Sequence, residues 1–202
     1  MSPTKIHTDH FKEHAGLLAA VESSCAAPLD ALAERCITSL NNGGKILFFG
    51  NGGSAADAQH LATELSIRFV SDRRALAGLA LTTDSSALTA CGNDLGFDLI
   101  FSRQIEAIGR AGDVAIGFST SGNSPNIVRA LQVAREMGMT AAAFSGRTGG
   151  KIKDIANPII LIPSATTARI QEMHGILGHI LCAEIEDRLG LTASPEDCGR
   201  TD

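Results

Sequence analysis

Glycines and small hydroxyl side chains gather twice in this chain, each time just beyond an apolar run. The stretches are GNGGSAAD at 50–57 and STSGNSPN at 119–126. Each is expected to leave a strand and to enter a helix through a serine, Ser54 in the first and Ser124 in the second. A helix start presents unpaired N–H groups and the positive end of the peptide dipole, so it attracts anions. Glycine lets backbone amides approach a ligand closely, and Ser and Thr hydroxyls add short donors. Neither stretch contains lysine or arginine. A phosphate bound there would be held by amides, hydroxyls and helix dipoles. Either loop alone suits an ordinary capped turn; two of one design in equivalent places favour an anion site. Gly50, Gly52 and Ala55 also match the dinucleotide pattern G-x-G-x-x-A. However, the acidic residue expected about 20 residues further on is missing there. The nearest candidate, Asp84, comes 32 residues after Gly52, and the second loop has no part in that scheme.

Polar side chains recur on the helices around these loops. His60 and Glu64 are four apart, which puts them on one helical face. Near the C-terminus Gln171, Gly175 and His179 repeat every four residues along one stripe. His179 stands among Ile176, Leu177, Ile180 and Leu181, which predicts a largely buried imidazole in need of partners. His174 falls off that stripe and is expected at the surface. Gly175 and Gly178 are poor helix formers, by up to about 1 kcal/mol each, and make sense if something packs closely there. Two imidazoles, a carboxylate and an amide oxygen could surround a zinc ion. The H-x-x-x-E spacing alone suits an exposed helical pair as well. His7, His10 and His14 read as a solvated face.

The elements that must position these groups follow from hydrophobic periodicity and punctuation. Helices are expected at 8–24 and 28–42, the second opening on Pro28 and stopping at Gly43-Gly44. Another runs from Ser54 to Phe69, with Asp57 completing a capping-box pattern. Further helices are expected at 85–92 and 97–109, from Ser124-Pro125 to about Met137, and from about Thr167 to Leu189. Short apolar runs at 45–50, 78–83, 113–119, 140–146 and 157–163 read as five strands. Strands alternating with helices mean βαβ units and a mostly parallel sheet, an α/β fold. No linker or composition shift divides residues 1–202. One domain is expected, with an ordered core over about 8–190 and a flexible polar tail at 192–202.

Composition excludes several classes of function. Net charge is −5, tryptophan and tyrosine are absent, and aromatics make up 4%; nucleic acid binding wants positive charge and stacking platforms. No apolar run reaches the roughly 20 residues that a membrane span requires. The stretch MSPTKIHTDHFKEH has no apolar signal core. Five cysteines without paired spacing argue against a disulfide framework and a C-x-x-C metal site, and suit a reducing cytoplasm.

With these motifs in place, the sequence resembles the sugar isomerase (SIS) domain family and, within it, the phosphoheptose isomerases. The resemblance covers about 8–190. It is carried by GKILFFGNGGSAADAQHLATEL, LTTDSSALTACGND, FSRQIEAIGRAGDVAIGFSTSGNSPNI and ARIQEMHGILGHILC. It implies a three-layer sandwich with a five-stranded, mostly parallel sheet. It also implies conversion of sedoheptulose 7-phosphate to D-glycero-D-manno-heptose 7-phosphate through an enediol, the first step toward the heptose of lipopolysaccharide core. Asn51, Gly52, Gly53 and Ser54 would line the sugar-phosphate site, and Ser119, Thr120, Ser121 and Ser124 would hold the phosphate. Asn93 and Asp94 would contact substrate. One zinc ion per subunit would be bound by His60, Glu64, Gln171 and His179. Glu64 and His179 would form the acid–base pair, read here as base and acid in the ketose-to-aldose direction. The resemblance implies a homotetramer in which N-terminal helices pack together and active sites form between subunits.

The chain departs from the family at Ala168, where some members carry a substrate-touching aspartate. The stretch ATTARIQEMH also resembles a non-enzymatic relative that binds the replication initiator protein, which gives an alternative reading as an adaptor. That relative lacks the glutamate at the Glu64 position and carries an arginine where Ser121 stands. Both enzyme-type residues are present here.

Overall fold

A computed structural model describes residues 4–192. The tail expected to be flexible lies, beyond Thr192, outside the described residues. In chain order the elements are α1 (Lys5–Asn41), β1 (Ile46–Gly50), α2 (Gly53–Ser66), β2 (Gly78–Ala80), α3 (Ser85–Asp94), α4 (Ser102–Ile108), β3 (Val114–Ser119), α5 (Pro125–Glu136), β4 (Thr140–Gly146), β5 (Ile159–Ile162) and α6 (Thr167–Arg188), with 3-10 turns at Phe97–Leu99 and Gly150–Asp154. The five strands form one sheet in the order β2-β1-β3-β4-β5, every pair parallel.

The continuous apolar runs of the strands are explained by burial on both faces. Along β1, Ile46 and Phe48 face a core shared with α1, α2 and α6. Leu47 and Phe49 face the opposite core, shared with α4 and α5. That is the expected α/β sandwich of three layers. After β1 the chain steps to β2 on one side, then returns to place β3 on the other. The strand order therefore reverses between β1 and β3, and the crevice beyond their carboxyl ends is where such sheets bind ligands. The two glycine–hydroxyl loops leave those two strand ends.

Four boundaries differ most from expectation, the simplest being that the helix expected to reach Phe69 ends at Ser66. The first two expected helices are one helix of 37 residues, with Pro28 inside it. Val21, Cys25, Leu29, Leu32 and Cys36 make one buried stripe across the proline. This packing outweighs the roughly 3 kcal/mol that an interior proline costs. The expected helix at 97–109 is a 3-10 turn followed by the seven-residue α4. The second strand shrinks to Gly78–Ala80; Asp84, beyond it, caps α3 by accepting from the Ala87 N–H at 2.9 Å. By length and mean hydropathy α1 could cross a membrane, but its buried stripe belongs to the main core.

His174, expected at the surface, is fully buried. The C-terminal helix packs against both α1 and the sheet, so more than one of its faces is interior. The imidazole lies edge-on to Phe118 and Phe144. Its Nε2–H donates to the Ser145 carbonyl at 3.2 Å, and Nδ1 has no partner among the described residues. Burial pushes its pKa down to about 4. Its contribution to stability is complete above the unfolded value of about 6.5. Below that, the unfolded chain binds a proton that the folded chain refuses, and up to about 3 kcal/mol is lost by pH 4. We expect the urea midpoint of the native protein to fall more steeply between pH 6.5 and 4.5 than that of His174→Gln. Parallel slopes would contradict this assignment.

Candidate active site

The first loop turns on Gly52, whose φ of +57° favours glycine. Gly52 is the N-cap of α2 and offers no side-chain cap. The expected capping box is therefore not formed: Ser54 sits inside the first turn, buried, and its N–H donates to the Asn51 carbonyl at 3.0 Å. A turn made by glycine backbone had no need of a serine cap. A Cβ at Gly53 would lie 2.6 Å from the Gln171 amide nitrogen, so this loop meets the start of α6 side chain to backbone.

The second loop folds on its own hydroxyls. Ser119 Oγ accepts from the Gly122 N–H at 3.1 Å and lies 3.3 Å from Ser124 Oγ. Ser121 Oγ accepts from the Asn123 N–H at 3.2 Å. Ser124 is the N-cap residue by position, but its side chain makes no capping bond; it turns to Ser119 instead. Beneath the loop, Ser145 Oγ donates to the Ser119 carbonyl at 2.8 Å. Beside it, the Gly122 and Asn123 oxygens accept the backbone N–H groups of Ile152 and Lys151.

Asn126, unmarked by any local pattern, joins the two loops. It is buried and exchanges two hydrogen bonds with Asn51, at 2.9 and 2.8 Å. Its oxygen also accepts the Ile127 N–H. Asn51 thus holds the loops in register with its side chain. Two helix starts, five hydroxyls and glycine backbone belong to these loops at neighbouring strand ends, and neither loop has a cationic side chain.

His60, Glu64 and His179 stand where α2 meets α6. A Cβ at Gly178 would lie 2.7 Å from Leu61, so the absence of a side chain there lets the helices close. Gly175 has nothing within 4 Å of such an atom; close packing within the chain accounts for one of the two glycines, not both. His60 Nε2 and Glu64 Oε1 are 2.9 Å apart, and His60 Nε2 and His179 Nε2 are 3.3 Å apart. All three ligand atoms lie within 4.8 Å of one another. The His60 side chain is 52% exposed and that of Glu64 18%. His179 is half-buried rather than largely buried, because its stripe of α6 opens onto this cluster. Phe69, unmarked by its sequence, stacks on the His179 ring with centroids 5.5 Å apart. Asp57, one turn before His60, has its pKa raised by burial, partly offset by the imidazole.

Asn93 and Asp94 are placed elsewhere. Asn93 Nδ2 donates to Asp94 Oδ1 at 2.7 Å. Asp94, with Cys91, Arg103 and Gln104, lines a cavity of about 430 Å³ to which neither loop contributes.

A family model described as SIS domain matches residues 9–146. The phosphoheptose isomerase of Paramagnetospirillum magneticum is 60% identical over 174 residues, 86% of this chain and 91% of the relative. That of Aquifex aeolicus is 51% identical over 177 residues, 88% and 93% of the two chains. The chain belongs to the phosphoheptose isomerases of the SIS domain family. A solved phosphoheptose isomerase from Neisseria gonorrhoeae superposes with a TM-score of 0.85 at 45% identity, covering 91% of this chain and 98% of that one. Within this one chain the two loops are joined through Asn51 and Asn126, the helix that follows the first loop carries His60 and Glu64 to His179, and Gln171 meets the first loop at Gly53.

Proposed function

We propose that this chain converts sedoheptulose 7-phosphate to D-glycero-D-manno-heptose 7-phosphate, the aldose–ketose isomerisation that opens heptose synthesis. The observation that carries the reading is the His60–Glu64 pair on α2, the helix that the first loop starts, with the His179 imidazole of α6 against His60. The phosphate sits against Ser119, Thr120, Ser121 and Ser124, where hydroxyls and amides answer its charge. Gly52, Gly53 and Ser54, held by Asn51, line the sugar. Asn93 and Asp94 add sugar contacts where a neighbouring subunit brings them in.

Isomerisation removes a proton from C1 and one from O1, and delivers one to C2 and one to O2. Glu64 takes the C1 proton, giving the enediol, while His179 protonates the oxygen on C2; reprotonation at C2 and loss of the O1 proton complete the exchange. Positioned acid–base groups of this kind supply about 10²–10⁴-fold in rate. The one-domain reading over 1–202, the homotetramer and the cytoplasmic setting are parts of the same proposal. The adaptor alternative finds no support in the phosphoheptose isomerase relatives, and Glu64 and Ser121 both stand against it.

The cluster also fits zinc. Zinc bonds of about 2.0–2.2 Å set tetrahedral ligand atoms roughly 3.3–3.5 Å apart, and the two imidazole nitrogens are 3.3 Å apart. His60, Glu64 and His179 would hold the ion with the Gln171 amide oxygen. When bound, it would polarise the oxygens on C1 and C2. A nitrogen bonded to a cation has no proton to give, so with the ion bound the two duties of His179 would fall to its two different ring nitrogens. Glu64 divides its two oxygens in the same way. We expect about one zinc per subunit in the purified protein and little in His179→Ala, read by elemental analysis; equal content in both would remove His179 from the ligand set. Incubation with sedoheptulose 7-phosphate tests the function itself: NMR should show the aldose phosphate accumulating, and an unchanged ketose would end the proposal.

A further inference from the structure

Between α2 and β2 the chain runs through residues 67–77 without regular structure, and here a buried ion pair is found. Arg73 and Glu186 have side chains 2% and 1% exposed. Arg73 Nε donates to Glu186 Oε1 at 2.8 Å. Its other nitrogens cap the last turn of α2, donating to the carbonyls of Leu65 at 2.7 Å and Glu64 at 2.6 Å. Glu186 accepts in turn from the backbone N–H groups of Phe69 and Val70.

A buried pair of this kind often adds little net stability, since desolvation offsets the attraction. Its connections are more informative. Glu186 lies seven residues after His179, close to two turns along the same face of α6. Arg73 grips the backbone of Glu64 itself. The residue whose N–H Glu186 holds, Phe69, is the one whose ring stacks on His179. Ile67 and Val70, on either side of it, are exposed, so between the end of α2 and the buried Leu76 only Phe69 packs on the core, and the pair ties that stretch down through the Phe69 and Val70 N–H groups.

We propose that Arg73 and Glu186 are positioning residues for the proton-transfer cluster. They fix the 67–77 segment so that Phe69 sets the plane of the His179 imidazole, while Arg73 anchors the end of the helix that presents Glu64. The proposal rests on the isomerase reading for its kinetic consequence, but not for its geometric one.

The test compares native protein with Phe69→Leu, Glu186→Gln and the double variant. In Phe69→Leu we expect kcat to fall at least tenfold with KM within twofold, and the visible bands of the cobalt(II)-loaded protein to shift. Glu186→Gln should produce the same band shift and the same split between kcat and KM. The double variant should be no slower than the slower single one, because both changes release one ring. Independent, multiplying losses in the double variant would overturn the proposal. So would a Glu186→Gln protein with a lowered melting temperature but native kcat and native cobalt bands. Should Glu186→Gln fail to fold, Phe69→Leu decides alone: native bands and native kcat there would sink the idea. If the native protein does not isomerise the ketose, the functional reading fails, and the cobalt bands still decide whether Phe69 and Glu186 set the cluster.

Discussion

Glu64→Gln is expected to leave a folded protein that isomerises sedoheptulose 7-phosphate about 10²–10⁴-fold more slowly, the share that a positioned general base supplies. The substitution keeps size and shape. Its amide can still meet His60 Nε2, now 2.9 Å from the carboxylate, and the hold of Arg73 on residue 64 is through the backbone carbonyl. What disappears is an oxygen basic enough to take a proton from carbon. KM should change only a few-fold, because the proposed phosphate site lies in the second loop and not at residue 64. Steady-state kinetics with the ketose phosphate, at matched metal content, reads the outcome; a kcat within threefold of native would take Glu64 out of the mechanism.

Gly122→Ala should act on binding. Gly122 has φ of +67°, and a Cβ there would lie 1.9 Å from the Gly149 carbonyl oxygen and 2.9 Å from the Gly150 nitrogen. Left-handed backbone costs an ordinary residue about 1–2 kcal/mol, and backbone cannot yield as a side-chain tip would. The loop must therefore pull away from the 149–150 turn, which loosens the bond from Gly122 N–H to Ser119 Oγ. We expect KM for the ketose phosphate to rise at least tenfold, and competitive inhibition by inorganic phosphate to weaken in step. An unchanged KM would mean that the 119–124 loop does not carry the phosphate.

Much of this architecture was legible because local pattern and tertiary demand agree. The runs ILFF and VAIGFS are apolar throughout because both faces of the sheet are covered, whereas the strand order, with its switch between β1 and β3, came only from the structure. Ser124-Pro125 marked the start of α5 correctly, although the serine hydroxyl is used for Ser119 and not for the helix. His60, Glu64 and His179 were legible as a group through helical spacing and through resemblance, and the fold brings them within contact. Where local rules misled, longer-range packing had overruled them: a buried stripe carries α1 through Pro28, and a helix covered on more than one side takes His174 inside. The contacts between distant residues were invisible for a related reason. Asn51 and Asn126 are 75 residues apart, and Phe69 and Glu186 are 117 apart; no periodicity links such positions. Only the sheet order and the closure of α6 on α2 bring them together.

The most direct measurement is a crystal structure of the Glu64→Gln protein soaked with sedoheptulose 7-phosphate. The phosphoryl oxygens should lie within hydrogen-bond reach of the Ser119, Ser121 and Ser124 hydroxyls, with C1 and C2 of the ketose against residue 64 and His179. A sugar whose phosphate sits away from the 119–124 loop, or whose first two carbons point away from that cluster, would contradict the account.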